Sequence, residues 1–297
     1  MEKHATLQPS APLPLDYPYS GAKSGMSIHN GKPMSNLEKS LTIIELLAEK
    51  PGGLSVSTIA HQVNQPASGV HRTLNELIRL GYVRQVQDQG DYALTMKLAA
   101  LGVGFLGRTG VGDVAQPILD RLAQKSEELV RLSVIDGEDL IWVAVAQGAT
   151  GGLRYDPGQE QGVVVHLASS AGGQAWLASM SDEEALQRVS RQGLINPNRP
   201  SGPGAPRTMT ELLQILAETR QRGFSVSSNS YTLGMTAMAM PVRSNGQVIS
   251  CLSIAGPAVR MSEERMAQLA PHLASAAEEI GMAASGSRYF PGLHGKG

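Results

Sequence analysis

The chain has a single cysteine in 297 residues, and only three phenylalanines and two tryptophans. One cysteine excludes an intramolecular disulfide and fits a reducing compartment. No apolar run approaches the ~18 residues that a membrane span needs, and no signal-peptide pattern opens the sequence. A cytoplasmic location without a membrane partner is therefore expected. An excess of either charge is also lacking, with 25 Lys and Arg against 26 Asp and Glu and a formal net charge of −1. That excludes a polycation that holds nucleic acid by charge alone. Within 36–97 the balance repeats, with basic residues at 39, 50, 72, 79, 84 and 97 and acidic ones at 38, 45, 49, 76, 88 and 91. Binding there must depend on where the charges sit, not on their sum.

Catalytic signatures are missing too. G-x-S-x-G, H-E-x-x-H and G-x-x-x-x-G-K-[ST] do not occur, so the hydrolase, zincin and P-loop readings lose their anchors. The histidines at 61, 71, 166 and 272 have no metal-ligand spacing. Cys251 and His166 could in principle pair as thiol and imidazole, but a lone Cys in a strand is far more often a small buried hydrophobe. G-V-G-F-L-G at 102–107 formally matches a dinucleotide fingerprint in the wrong context, closing a helix where it should follow a strand. No catalytic residue, metal or cofactor is expected.

What the sequence does contain is concentrated in Leu54 to Val83. Ser55 can cap a helix whose apolar stripe is Val56, Ile59, Ala60 and Val63. Asn64 and Gln65 break it, and Pro66 is placed at the first turn of a second helix. There Val70, Leu74 and Leu77 form one buried face, with Ile78 at its border. Ser68, Arg72, Asn75 and Arg79 fall opposite, beside His71, and can donate to phosphates and base edges. Spacing alone is also met by an αα-hairpin that only packs. Gly81–Arg84 then leads into a strand and Tyr92–Leu94 returns, around the polar turn Gln87–Gly90, completing a winged helix-turn-helix.

Residues 1–34 are rich in proline, glycine and small polar residues and are expected to be a disordered tail, with Met26 and Met34 as alternative starts. Residues 35–95 form the winged helix-turn-helix domain. Its first helix, Leu37–Glu49, should bury Leu37, Leu41, Ile44 and Leu47 or Ala48. Residues 96–112 form a linker whose helix, Met96–Gly107, is apolar on most sides and invites a partner copy; Gly-rich 110–112 follows as a turn. Residues 113–285 form a second domain of α+β class, and 286–297 a flexible tail.

In this second domain helices are read at Val114–Ser126, from Ser169 or Ser170 to Leu177, at Asp182–Arg191, at Thr210–Arg222 with Leu213, Leu216 and Ala217 inward, and from Ser262 to about Met282. Strands are read at Val130–Ile135, Leu140–Val145, Leu153–Tyr155, Gly162–Val165, Phe224–Ser227, Ala237–Val242 and Val248–Ile254. Asp156–Gln161 is a polar loop, and Asn196–Pro206 a mobile proline-rich one. Alternation along Val248–Ile254 puts Ile249, Cys251, Ser253 and Ala255 on one face and Val248, Ser250, Leu252 and Ile254 on the other.

The segments LEKSLTIIELLAEKPGGLSVSTIA, GVHRTLNELIRLGYV, LGMTAMAMPV and LSIAGPAVRMSEERM resemble the IclR-type bacterial transcriptional regulators, over about residues 35–282. The resemblance implies a GAF-like sheet enclosing a small-molecule pocket behind the winged helix. It implies operator DNA as partner, a homodimer or tetramer, contact with RNA polymerase, and control of a catabolic operon by an effector. With the helix faces, it places DNA contacts at Ser57, Ala67, Ser68, Gly69, His71, Arg72, Asn75 and Arg84. It places the effector against Ser170, Ala171, Gly172, Ser227, Met235, Ala237, Cys251 and Ser253. The sequence departs from the family at Ala67 and Gly69, where Lys and Thr are frequent, and at Ser227, Asn229 and Ala168. With Ser227 and Asn229 neutral, the expected effector is a small organic acid, aromatic or branched. Arg154 is the only loose cation in view. The alternative function is a ligand sensor that acts through protein contacts without specific DNA recognition.

Overall fold

The computed structural model describes residues 34–86, 90–109, 111–155, 160–196 and 200–284, without the side chains of 106–109 and 111–114. The expected tails 1–34 (all but Met34) and 286–297, the wing tip 87–89, and parts of the two long loops (156–159 and 197–199) lie outside the described residues.

The first helix, α1 (Asn36–Ala48), starts at a capping box: Ser35 Oγ accepts from the Glu38 amide at 3.2 Å, and the Glu38 carboxylate accepts from the Ser35 amide at 2.6 Å. Ser55 caps α2 (Val56–Gln62) through the Thr58 amide, and Asn64, at φ 49°, turns the chain towards α3 (Ala67–Arg79). Strands β1 (Val83–Gln85) and β2 (Tyr92–Leu94) pair antiparallel. Leu54 adds a bridge outside Tyr92 by two backbone hydrogen bonds of 3.0 and 2.8 Å, tying the wing to the entry of α2. Ile43, Leu47, Ile59, Val70, Leu74 and Leu77 close one small core with Val83 and Tyr92. Leu37 and Leu41, expected in that core, are 69% and 48% exposed. The helix has apolar residues on a wider arc than α3 and β2 cover, so Ile43 and Leu47 take the buried stripe.

Beyond the wing, α4 (Lys97–Thr109) and α5 (Val111–Ser126) leave only Gly110 outside the described helices. The expected glycine turn at 110–112 is therefore largely helical, since a glycine costs a helix only ~1 kcal/mol. The G-V-G-F-L-G segment lies inside α4, where no phosphate-binding loop can form.

The second region is built on a five-stranded antiparallel sheet of β3 (Leu129–Asp136), β4 (Asp139–Gln147), β5 (Ser225–Ser228), β6 (Met235–Ser244) and β7 (Gln247–Pro257), in the order β4-β3-β7-β6-β5. Helices α5 and α9 (Glu263–Ala283) cover one face around Leu119, Leu132, Leu252 and Leu273. On the other, α6 (Ala171–Ala178) packs the sheet, backed by α7 (Asp182–Gln192) and α8 (Met209–Arg222). Because helices lie on both faces, central strands are apolar in both directions, and β3 is buried over its first six residues. No helix among the described residues is long and apolar enough to cross a membrane.

Five expectations change. Leu153–Tyr155 forms no strand, and Gly162–Val165 follows the β4 edge with a single bridge, Val164 to Ile141. The positive φ of Gly162, 85°, breaks the extended run needed for a longer ladder. In β7 the register shifts opposite Val242/Arg243, so the alternation slips: Ile249 joins the core of Leu252 and Ile254, and Val248 packs on the opposite one. Helix α8 buries Leu212, Leu216 and Thr219 while Ala217 is exposed. Residues 200–206 are pinned, with the Gly202 and Gly204 amides donating to the Ser230 and Asn229 carbonyls at 2.7 and 3.0 Å. A Cβ on either glycine would collide with backbone, so the glycines there serve close approach.

Candidate functional site

Two surfaces bring polar side chains together. On α3, Ala67, Ser68, Gly69, His71, Arg72 and Asn75 are all exposed, opposite the buried Val70, Leu74 and Leu77. The faces follow from the 3.6-residue period and from the core beneath. Ser57 on α2 and Arg84 on β1 are exposed as well. Arg79, on the expected polar stripe, is held by Glu76 at 2.9 Å, and Asn75 Nδ2 lies 3.2 Å from His71 Nδ1. Arg72 has no hydrogen-bond or ion-pair partner among the described residues. Pro66 supplies no side-chain cap to α3, so its positive end is open to an anion.

The second site is a small cavity of about 30 Å³ between the sheet and the start of α6. Ser170, Ala171, Ser227, Met235 and Ala237 line it, five of the eight positions expected against an effector. Ser170 is there because it caps α6, its Oγ accepting from the Gly173 amide at 3.1 Å. Ser227 donates to the Ser169 carbonyl at 2.7 Å, which leaves its oxygen free only as an acceptor. The other three stand behind the wall. Gly172 faces Ser133 and Cys251. Cys251 is buried in the second core, and burial pushes its thiol far up, which makes it inert. Ser253 Oγ turns to the Arg131 carbonyl at 3.4 Å.

The remaining wall comes from Arg131, Tyr155, Tyr231, Thr232 and Ala255, which sequence reasoning did not single out. The available signal was an arginine inside the apolar run Leu129–Ile135, a position where burial demands a partner. That partner is Glu160: Arg131 Nη1 donates to its Oε2 at 2.5 Å, with side chains only 8% and 11% exposed. The guanidinium also lies 4.5 Å over the Trp142 ring. Tyr155 donates its hydroxyl to the other Glu160 oxygen and is hydrogen-bonded to Thr232. Burial, then the Glu160 charge, push the Tyr155 hydroxyl above its usual range, so it stays a donor. Arg131 Nε is buried without a partner. Arg154, the cation anticipated from sequence, is exposed and does not line the cavity.

His166 lies behind Ser169, with Nδ1 2.8 Å from Ser169 Oγ and Nε2 3.2 Å from the Gly193 carbonyl. Burial lowers its pKa, so Nε2–H donates to Gly193 and Nδ1 accepts from the hydroxyl. No cluster of three His, Cys, Asp or Glu able to hold a metal occurs among the described residues.

Comparison with known proteins places both regions of the chain in one family. Residues 36–87 match the IclR helix-turn-helix domain, and 103–282 the bacterial transcriptional regulator IclR C-terminal domain. The acetate operon repressor of Salmonella typhimurium is 29% identical over 259 residues, covering 86% of this chain and 92% of that protein. The crystal structure of Thermotoga maritima IclR superposes with a TM-score of 0.67 at 26% identity, covering 84% of this chain and 98% of that one. An IclR homologue of Microbacterium hydrocarbonoxydans, solved with 4-hydroxybenzoate, shares the fold at a TM-score of 0.68 and 23% identity, covering 85% of this chain and 100% of that one.

Proposed function

Because this chain belongs to the IclR family and is a DNA-binding transcriptional regulator, we propose that a small organic acid in the α6 cavity controls its grip on operator DNA at a catabolic operon. The observation that carries this reading is the buried Arg131 guanidinium at the cavity wall, beside the first residues of α6 and neutral Ser, Thr and Tyr hydroxyls. A carboxylate is the ligand group that a planar guanidinium and helix-start amides both favour. Met235, Ala237, Ala255 and the Tyr231 ring add apolar wall for a ring or branched chain. The 4-hydroxybenzoate bound by the Microbacterium protein is of the same class.

On the DNA side, α3 enters the major groove with Arg72 as its free cation, flanked by Ser68, Gly69, His71 and Asn75. Ala67 and Gly69 keep its first turn slim, so base preference rests on few side chains. Ser57 and Arg84 approach the flanking backbone. One such unit of balanced charge grips DNA weakly, so two are joined in a homodimer or tetramer. The exposed Met96, Leu98, Leu101 and Val103 of the α4 region supply the apolar contact. The units divide near 35–95, 96–112 and 113–285, and the bound dimer contacts RNA polymerase.

A mobility shift on the DNA upstream of the chain's own gene, with excess competitor and with a panel of carboxylic acids, tests the reading. The expected result is a sequence-specific complex that at least one acid strengthens or dissolves. Acid binding without any specific DNA complex would favour the sensor that works through protein contacts.

A further inference from the structure

Glu160 holds a position that a ligand carboxylate would want. One of its oxygens takes the Arg131 guanidinium at 2.5 Å and the other accepts the Tyr155 hydroxyl. Arg131 and Tyr155 are also walls of the cavity. The cavity's strongest cation and its best phenolic donor are thus already engaged by a carboxylate of the chain itself.

We propose that Glu160 is an internal competitor: its carboxylate fills the anion subsite of the cavity, and an organic acid binds by displacing it from Arg131 and Tyr155. This rests on the reading of the cavity as the effector site.

Charge accounting favours exchange over addition. With Glu160 in place the buried pair is neutral, and a second carboxylate beside it would leave an uncompensated negative charge away from water. If the ligand takes the Glu160 place, the site stays neutral and the Glu160 carboxylate recovers its hydration. Three features make the subsite fit for an incoming acid. Arg131 Nε is a buried donor that Glu160 does not satisfy, and a carboxylate of free orientation could take Nε and a terminal nitrogen together. The Trp142 ring beneath the guanidinium keeps the cation in place when Glu160 leaves. Tyr155, kept protonated and supported by Thr232, remains able to donate to the newcomer. Exchange also sets a threshold: each acid competes with a tethered carboxylate, so only ligands with enough apolar contact to Met235, Ala237 and Tyr231 succeed at low concentration.

The full-length protein is titrated calorimetrically with acetate, benzoate and benzamide, as the parent chain and as Glu160→Gln, with Glu160→Ala as a second vacating variant. Removing the competitor should tighten benzoate by about tenfold or more, equivalent to about 1.4 kcal/mol, and leave benzamide unchanged. The neutral double variant Glu160→Gln/Arg131→Met, which leaves no buried charge unpaired, should lose that gain. Equal or weaker benzoate binding in both vacating variants overturns the proposal. So does failure of both acetate and benzoate to bind either one, because a vacated Arg131 must accept a carboxylate. Met235→Trp, at the cavity wall, separates this from failure of the effector-site reading. Benzoate binding that survives Met235→Trp lies elsewhere and sinks the cavity itself. Binding abolished by Met235→Trp but insensitive to Glu160 sinks only the displacement.

Discussion

Replacing Arg72 by alanine separates the proposed DNA contact from the fold. Arg72 is exposed on α3 and has no partner among the described residues, whereas Arg79 on the same helix is paired to Glu76. Truncating an unpartnered surface side chain changes stability by only about 0.5 kcal/mol. The buried side of the helix, Val70, Leu74 and Leu77, is untouched. Any affinity lost therefore belongs to the complex. If Arg72 reads a guanine edge, each recognition helix should lose about 1–3 kcal/mol, and a symmetric dimer roughly twice that. If it holds a phosphate, affinity should fall on all sequences alike, and the slope of log K against log salt should shrink by about 0.9 per helix. Fluorescence anisotropy on the footprinted operator and a scrambled duplex, over a salt series, separates the two. A folded Arg72→Ala protein with the parent's affinity and the parent's salt slope would refute the placement of α3 on DNA.

Leu74 is fully buried in the small N-terminal core, so Leu74→Ala should cost about 2–5 kcal/mol and abolish operator binding while ligand binding persists; denaturant unfolding followed with calorimetry checks both. Leu101 and Val103 are 49% and 70% exposed on α4, and charging both as Asp should shift the assembly to monomers and weaken operator binding; sedimentation velocity reads this, and an unchanged oligomer would refute an α4 contact. His166 is held neutral by burial, its pKa below the ordinary 6.5, so below about pH 6.5 the unfolded chain binds a proton that the native one refuses. Its contribution to stability is complete above that pH and is lost as pH falls towards the folded value. Unfolding midpoints across this window should fall less steeply in His166→Gln, and an identical slope would remove His166 from the account.

Local chemistry made much of the fold legible. Ser35, Ser55, Ser170 and Ser262 announce helix starts because a side-chain oxygen before a periodic apolar run satisfies amides that nothing else can reach. The helix α3 and its polar face were readable from the spacing of Val70, Leu74 and Leu77, since one helix on one core has one solution. The hairpins β3–β4 and β6–β7 likewise reverse at Asp136–Asp139 and Ser244–Gln247, over residues that tolerate tight turns. Where several apolar stripes compete, as on α1 and α8, the neighbour that covers the helix decides which is buried, and no local pattern contains that neighbour. The β7 bulge reversed the faces of Val248 and Ile249 for the same reason, because its cause lies in the pairing with β6.

The proposed effector cavity divides along this line. Its small residues on α6, β5 and β6 came from the family resemblance and from alternation along strands. Arg131 and Glu160 are 29 residues apart in sequence, and an arginine in a strand and a glutamate beyond a loop carry no mark of each other. The sequence by itself determined which helices form, where they are capped, and which face of α3 stays polar, because those depend on contacts within a few residues. Only the tertiary structure decided that the buried cation is Arg131, with Glu160 as its partner, because the cost of burying a charge is met by whichever opposite charge the fold brings within reach.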